Sequence, residues 1–286
     1  MSLRSANINT MISAARKAGR NLIHDFNEVE HLQVSAKGPA DFVSSADHQA
    51  EAILVEELSK KRPTYGFLLE EGGEIKGSDG EHRWIIDPLD GTLNFLHSIP
   101  HFAISIALER NGTIIAGGIY DPVKDEFFWA EKGRGAYLDQ RRLRVSGRNR
   151  MVDSVFATGV PCANRATGHN LFNAEMERLA PQVAGIRRFG AASLDLAYVA
   201  AGRYEGFWER DLAPWDMAAG LILVKEAGGT VTDFESSNTM LESGEVVAAN
   251  QNLHKDLLRT LRKADQLAEK SAKKADSKAD IPAEST

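Results

Sequence analysis

The 286-residue chain has a single cysteine, Cys162, so it forms no internal disulfide and no zinc site built from several thiolates. A reducing compartment fits this usage, and the cytosol is the default expectation. The chain also lacks a long apolar run: stretches such as Phe102–Leu108 fall far short of the ~20 residues that span a bilayer. Asn7, Asn9, Arg16 and Lys17 interrupt Met1–Arg20, which is expected not to act as a signal peptide. Positive charge is not in excess. Lys plus Arg number 34 against 40 Asp plus Glu, a formal charge of −6, so neither nucleic acid nor an anionic membrane is an expected partner. An anionic ligand has to be captured locally. Walker A, His-Glu-x-x-His, Gly-x-Ser-x-Gly and Cys-x-x-Cys motifs are missing, which removes several common catalytic designs. What remains is 43% hydrophobic and 26% charged, the composition of a soluble globular protein with a sizeable core.

Apolar residues at Ile8, Met11, Ile12, Ala15, Ala18, Leu22, Ile23 and Phe26 recur with helical spacing and predict one amphipathic helix over Ile8–Phe26. A second is predicted over Ala46–Arg62, stopping before Pro63, with a polar loop over Lys37–Asp47 between them. Strands follow at Trp84–Ile86, Ala103–Leu108, Ile114–Tyr120 and Glu126–Ala130. Asn111-Gly112 reads as a type I′ hairpin turn rather than a glycosylation sequon. The second half alternates strands at Val152–Ala157, Gly185–Arg188 and Tyr204–Trp208 with helices at Asn170–Val183, Ser193–Ala201 and Pro214–Ala227. A mixed α/β architecture follows. Beyond Leu261 aromatic residues stop, and from Asp265 five acids face four bases, the pattern of a solvated, frayed tail.

The stretch Trp84-Ile85-Ile86-Asp87-Pro88-Leu89-Asp90-Gly91-Thr92-Leu93-Asn94-Phe95 runs an apolar strand straight into two carboxylates. Ligands commonly bind at such strand ends in open α/β sheets. Pro88 restricts its neighbours, so Asp87 and Asp90 are expected across a tight turn, facing one point. Converging carboxylates repel each other, and a hard cation such as Mg²⁺ relieves that with carboxylates, a carbonyl such as that of Leu89, and waters as ligands. Asp-Pro-x-Asp-Gly is also an ordinary turn composition. Three other acidic units stand out. In Glu70-Glu71-Gly72-Gly73 only one glutamate can face a given metal, or the segment is simply a charged turn. Asp216 follows Pro214 and Trp215 just inside a helix, where the dipole favours an acid whatever its role. Asp47, taken alone, reads as a helix N-cap.

Together these stretches resemble the inositol monophosphatase family of Mg²⁺-dependent, lithium-sensitive phosphatases. Asp87-Pro88-Leu89-Asp90-Gly91-Thr92-Leu93-Asn94-Phe95 looks like the family signature D-P-[IL]-D-G-T-x-N-F, and Trp215-Asp216-Met217-Ala218-Ala219-Gly220 matches W-D-x-A-A-G. The resemblance implies a layered α/β/α/β/α sandwich, with residues 1–262 as one catalytic unit in two closely packed lobes, about 1–150 and 151–262. Residues 263–286 would form a disordered charged tail. It further implies two or three Mg²⁺ ions, a homodimer and a cytoplasmic setting. Glu70, Asp87 and the Leu89 carbonyl would hold the first ion, and Asp87, Asp90 and Asp216 the second. Asp47 and Thr92 would activate the attacking water, with Glu70 beside them in catalysis. The amides of Gly91 and Thr92 would contact the phosphate. Gly190–Ser193, Ala192 among them, would face the substrate's hydroxyls together with Glu209, and Asp216 would also touch the substrate.

The same chemistry supports Glu209 as a polyol contact, since a carboxylate accepts from two neighbouring hydroxyls; a salt bridge to Arg210 or Arg203 is the alternative. Leu93 replaces a second threonine found in many members, and Thr92 keeps the hydroxyl. His97 and His101 read as loop-structuring residues, Arg187-Arg188 as a surface or interface pair, and Cys162 as inert. The expected reaction is hydrolysis of a small phosphate monoester, inositol 1-phosphate first. Histidinol phosphate, fructose 1,6-bisphosphate and 3′-phosphoadenosine 5′-phosphate are the alternatives within related families, and Asn94 disfavours the last. A non-catalytic role as a protein-binding partner, as some bacterial relatives are thought to play with the transcription machinery, is the reading from another class.

Overall fold

A computed structural model describes residues 4–29, 34–38, 41–161 and 166–279. Helix α1 (Ala6–Phe26) opens where Ser5 accepts a hydrogen bond from the Ile8 amide, and its stripe from Ile8 to Leu22 is buried. Strands β1 (Val34–Gly38) and β2 (Asp41–Ser44) then pair antiparallel, where a loop was expected; Val34, Phe42 and Val43 carry a strand propensity that their polar neighbours obscure. Helix α2 (Ser45–Lys61) ends two residues before Pro63, whose ring disfavours helical geometry at Arg62.

The middle of the chain supplies β3 (Gly66–Leu69), β4 (Gly73–Ile75), β5 (His82–Asp90), the short helix α3 (Thr92–Leu96), β6 (Ala103–Arg110), β7 (Thr113–Asp121), β8 (Glu126–Glu131), β9 (Gly135–Leu138) and β10 (Arg141–Arg142). These strands form one eight-stranded sheet in the order β10-β9-β8-β7-β6-β5-β3-β4. It is antiparallel except for the β3/β5 pair. Between β6 and β7, Asn111 and Gly112 both adopt positive φ, as the type I′ reading requires.

The remainder supplies β11 (Val155–Thr158), α4 (Ala166–Leu179), β12 (Gly185–Arg187), α5 (Ala192–Ala200), β13 (Gly206–Glu209), α6 (Pro214–Glu226), β14 (Gly229–Thr232), α7 (Met240–Ser243), β15 (Val246–Asn250) and α8 (His254–Ala279). A five-stranded sheet results, β12-β11-β13-β15-β14, with β12, β11 and β13 parallel. The strand expected over Val152–Ala157 begins later, because Met151–Asp153 form a 3-10 turn. Helix α4 stops before the expected Val183, since Pro181 holds Ala180–Gln182 in a tighter 3-10 turn. Cys162 lies outside the described residues.

The layers follow from which faces are apolar. Helices α1 and α2 cover one face of the large sheet, α5 and α6 fill the space between the sheets, and α4 and α8 cover the far face of the small one. This is a five-layer α/β/α/β/α sandwich. The stretch read as a frayed tail is helical as far as Ala279: buried Leu257, Leu258, Leu261 and Ala264 carry the apolar stripe of α8 into it. Among the described residues no helix is long and apolar enough to cross a membrane.

Helix α6 sits unusually close to the large sheet. A Cβ at Gly117 on β7 would come within 2.7 Å of Ile222 Cγ2 and 2.9 Å of the Ala219 backbone. Gly117→Ala is therefore expected to push α6 off the sheet and destabilise the protein by about 1–3 kcal/mol. Urea unfolding checks this; an unchanged midpoint would show that the helix gives way freely.

Candidate active site

The parallel register of β3 and β5 pairs Leu69 with Ile86, and the Glu70 amide donates to the Ile86 carbonyl at 3.3 Å. Glu70 and Asp87 thus leave adjacent strands side by side. On the other flank Asp87 faces Ser105 of β6, while Asp90 faces Ala103. Three residues on β5 therefore match two on β6, a β-bulge in place of the expected turn. Its consequence is decisive. Residues three apart on a regular strand point to opposite faces, and the extra residue brings Asp90 back to the side of Asp87. Pro88 has no amide to lose from the ladder, so it suits the bulge. Within it, the Leu89 amide donates to Asp87 Oδ1 at 2.9 Å.

Gly91, at φ +91°, then turns the chain into α3, where a Cβ would lie 3.1 Å from the His101 carbonyl. The Thr92 hydroxyl lies 2.9 Å from the Leu89 carbonyl and 3.2 Å from Asp47 Oδ1. Asp47 is not the N-cap of α2. Ser44 takes that place, and Asp47, three residues on, completes a capping box: its Oδ2 accepts from the Ser44 amide at 2.9 Å and the Ser44 hydroxyl at 2.6 Å. Asp47 thus sits at the third helical position, where its side chain reaches back to the cap.

Two more helices deliver the remaining groups. At the start of α5 the Ser193 amide, at 2.8 Å, and hydroxyl both donate to Asp90 Oδ2, and the amides of Ala192 and Leu194 also bear on Asp90. Of the segment Gly190–Ser193, Ala192 and Ser193 therefore face this carboxylate. At the start of α6 Asp216 Oδ2 accepts from the Ala213 amide at 2.7 Å, while the Ser105 hydroxyl on β6 holds the Trp215 carbonyl at 3.0 Å. Glu209 comes from the second sheet, at the end of β13. Its carboxylate lies over Gly159, where any Cβ would overlap it at 1.7 Å. Neither salt bridge considered for Glu209 forms: Arg210 pairs with Glu175, Glu245 and Asp265, and Arg203 with Glu126. A cavity of about 350 Å³ opens here, walled by Glu70, Glu209 and Asp216 on one side and Phe172, Trp208 and Pro161 on the other.

The electrostatics follow from this crowding. Burial pushes Asp87 well above the ordinary carboxylate range, and the charges of Glu70, Asp90 and Asp216 push it further. A hydrogen bond with Glu70 raises Asp87 as well. Burial likewise raises Asp90 to about 6, against the opposing pull of Ser193. Glu209 rises to about 8 through burial and then the charges of Asp216 and Asp90. Asp47 is raised by burial, partly offset by Ser44. Among the described residues no three His, Cys, Asp or Glu side chains are already closed around one point as metal ligands. The donor set nonetheless suits a hard divalent cation: oxygen ligands only, and mutually repelling.

Several supporting residues had no sequence signal. Ser105 and Ser44 are buried serines, legible only once register and caps are known. Asp195 is buried on α5, raised well above its usual range first by burial and then by Glu209 and Asp90. Asn94, by contrast, belongs to the signature, and its amide ties α3 to the His101 carbonyl at 2.8 Å and the Phe189 carbonyl at 2.7 Å. His101 is pushed down to about 4 by burial and so stays neutral, in keeping with a structural role. Arg187 and Arg188 are exposed, as a surface pair would be, and the charge of Arg188 acts on both Glu209 and Asp195.

Groups raised in the folded state favour protonation there, so their stabilising effect is complete below their unfolded values near 4 and is lost as pH climbs through about 6 for Asp90 and about 8 for Glu209. In EDTA, Asp90→Asn should therefore raise the melting temperature at pH 8, by an amount equivalent to about 3 kcal/mol at most, and gain little at pH 4. Melting curves of both proteins across that range test this, and a variant less stable than the parent at pH 8 contradicts it.

Comparison with known proteins bears directly on this arrangement. A sequence profile of the inositol monophosphatase family matches residues 4–266. An inositol-1-monophosphatase from Rhizobium meliloti is 57% identical over 260 residues, covering 91% of this chain and 97% of the relative. A protein named Nus factor SuhB from Pseudomonas aeruginosa is 46% identical over 262 residues, covering 89% and 95%. The crystal structure of the extragenic suppressor protein suhB from Bartonella henselae is 55% identical and superposes with a TM-score of 0.88, covering 91% of this chain and 99% of that one. With the profile spanning nearly the whole chain and the carboxylates gathered at one strand edge, the chain belongs to the inositol monophosphatase family of phosphoric monoester hydrolases.

Proposed function

We propose that this protein hydrolyses inositol 1-phosphate to inositol and phosphate, using Mg²⁺ held by Glu70, Asp87, the Leu89 carbonyl, Asp90 and Asp216. The observation that carries this reading is the gathering of four carboxylates at the end of β3, β5 and the start of α6, where their repulsion raises Asp87. Bound there, Mg²⁺ would neutralise the phosphoryl oxygens and favour attack by water. Asp47 and Thr92 supply the base: the Thr92 oxygen accepts a proton from the attacking water and passes its own to Asp47 Oδ1, 3.2 Å away. Asp47 Oδ2 is already occupied by Ser44, so only Oδ1 is available for this transfer. The Gly91 and Thr92 amides receive the phosphate at the left-handed corner that Gly91 makes. Glu209, across the cavity, accepts from the hydroxyls of the ring. A homodimer in the cytoplasm completes the reading.

The name Nus factor SuhB carried by the 46% identical P. aeruginosa relative favours a second reading, a non-catalytic protein-binding role. Asp90→Asn separates the two, because rescue of a host phenotype by that variant would place the main role outside catalysis.

Phosphate release is measured on inositol 1-phosphate, histidinol phosphate, fructose 1,6-bisphosphate and 3′-phosphoadenosine 5′-phosphate, with Mg²⁺ and with EDTA. Inositol 1-phosphate is expected to rank first, turnover to vanish in EDTA, and Asp90→Asn to cost at least about a hundredfold in kcat. Another substrate ranking first replaces the proposed one, and full turnover in EDTA removes the metal from it. Glu209→Gln should weaken inositol 1-phosphate hydrolysis more than that of p-nitrophenyl phosphate, which has no ring hydroxyls; equal losses would remove the polyol role.

A further inference from the structure

Glu209 is held by its neighbours in the chain rather than by a partner of its own. Along β13 the side chains alternate: Phe207 packs into the core shared by α5 and α6, while Trp208 packs with Phe156, Phe234, Val247 and the leucines of α8. Glu209 lines the cavity between Trp208 and Arg210, which line it as well, as does Glu175. Both flanking side chains end on the same group. The Trp208 indole Nε1 donates to Glu175 Oε2 at 2.9 Å, and the Arg210 guanidinium donates to Glu175 Oε1 through Nε at 3.3 Å and Nη2 at 3.0 Å. Glu175 is only 4% exposed, carried on α4, and each of its oxygens takes one flank. The Arg210 guanidinium lies 3.4 Å from the centre of the Phe234 ring and also meets Asp265 of α8 and Glu245 before β15.

From this geometry we infer that Glu175 is a positioning residue for Glu209, setting where its carboxylate meets the substrate's hydroxyls by clamping Trp208 and Arg210 on either side of it. The inference rests on the reading of Glu209 as a polyol contact. The Glu209 carboxylate fills the space that a side chain at Gly159 would take, so its place depends on the position of β13 against β11. The rest of the reaction machinery comes from β3, β5, α2 and α6 and is insensitive to that position. Glu175 thus sets discrimination between substrates, not the chemical step.

The test uses the full chain with Mg²⁺ and compares inositol 1-phosphate with p-nitrophenyl phosphate. Glu175→Ala should raise KM for inositol 1-phosphate about tenfold while kcat on p-nitrophenyl phosphate stays within about twofold. Glu175→Gln, which keeps the shape and an acceptor for Trp208, should recover most of that KM and guards against a failure of the alanine variant to fold. In a Glu209→Gln background the increment from either substitution should disappear. An increment that persists in full there, or a KM raised equally for both substrates, overturns the inference. If instead Glu209→Gln itself fails to separate the two substrates, the polyol reading of Glu209 falls, and the coupling between the two positions still decides whether Glu175 acts through it.

Discussion

Negative charge crowded at the carboxyl edge of β3 and β5 is the constraint that the surrounding structure answers. Four of the carboxylates there are each held by a donor: Asp47 by Ser44 at the start of α2, Asp87 by the Leu89 amide in the bulge, Asp90 by Ser193 on α5, and Asp216 by the Ala213 amide before α6. Three of these lie at the first turns of helices, where unpaired amides and the helix dipole favour an acid. The orientation of α2, α5 and α6 is thereby set by the site, and their packing elsewhere has to conform. Gly220 shows the cost: a Cβ there would come within 2.4 Å of Leu196, so the two central helices touch backbone to side chain.

The two sheets solve a related problem of supply. Each is largely antiparallel or mixed, yet each keeps a parallel segment, β3 with β5 and β12, β11 with β13, whose strands end toward the same cavity. Parallel neighbours deliver side chains from successive strand ends to one edge, which an antiparallel pair cannot do. Glu70 and Asp87 arrive that way from the large sheet, Gly159 and Glu209 from the small one. The antiparallel strand β6 contributes differently. By pairing Ser105 with Asp87 and binding the Trp215 carbonyl, it fixes the start of α6 against the same edge.

Much of this was legible in the sequence because it is local. The stripe of α1, the Asn111-Gly112 turn and the stop of α2 before Pro63 depend on neighbours within one or two turns, and they read correctly. The acids of the site were legible too, as residue types at the ends of apolar runs. What was not legible is how they come to face one another. Asp-Pro-Leu-Asp fits a turn and a bulge equally well in composition, and only the pairing of Asp90 with Ala103 selects the bulge. Ser193 offers no signal separating a substrate contact from a donor to Asp90, since the distinction lies in a contact across 103 residues of chain. The helix after Leu261 was hidden for the same reason: its apolar stripe is thin, and Asp265 has meaning only beside Arg210.

Arg210 and Asp87 make an instructive contrast, because both sit among several carboxylates. Around Arg210 the acids Glu175, Glu245 and Asp265 converge on a guanidinium that belongs to the chain, and the result is a permanent brace. Around Asp87 the charges that act on it, Glu70, Asp90 and Asp216, are all negative. A resident arginine there would quiet the repulsion, but it would also occupy the space and fix the geometry for good. On the proposed reading, leaving the countercharge to come from solution would let the site take up a cation together with an anionic substrate. The repulsion that raises Asp87 is thus what distinguishes this cluster from the ion-paired brace at Arg210, built of the same carboxylates.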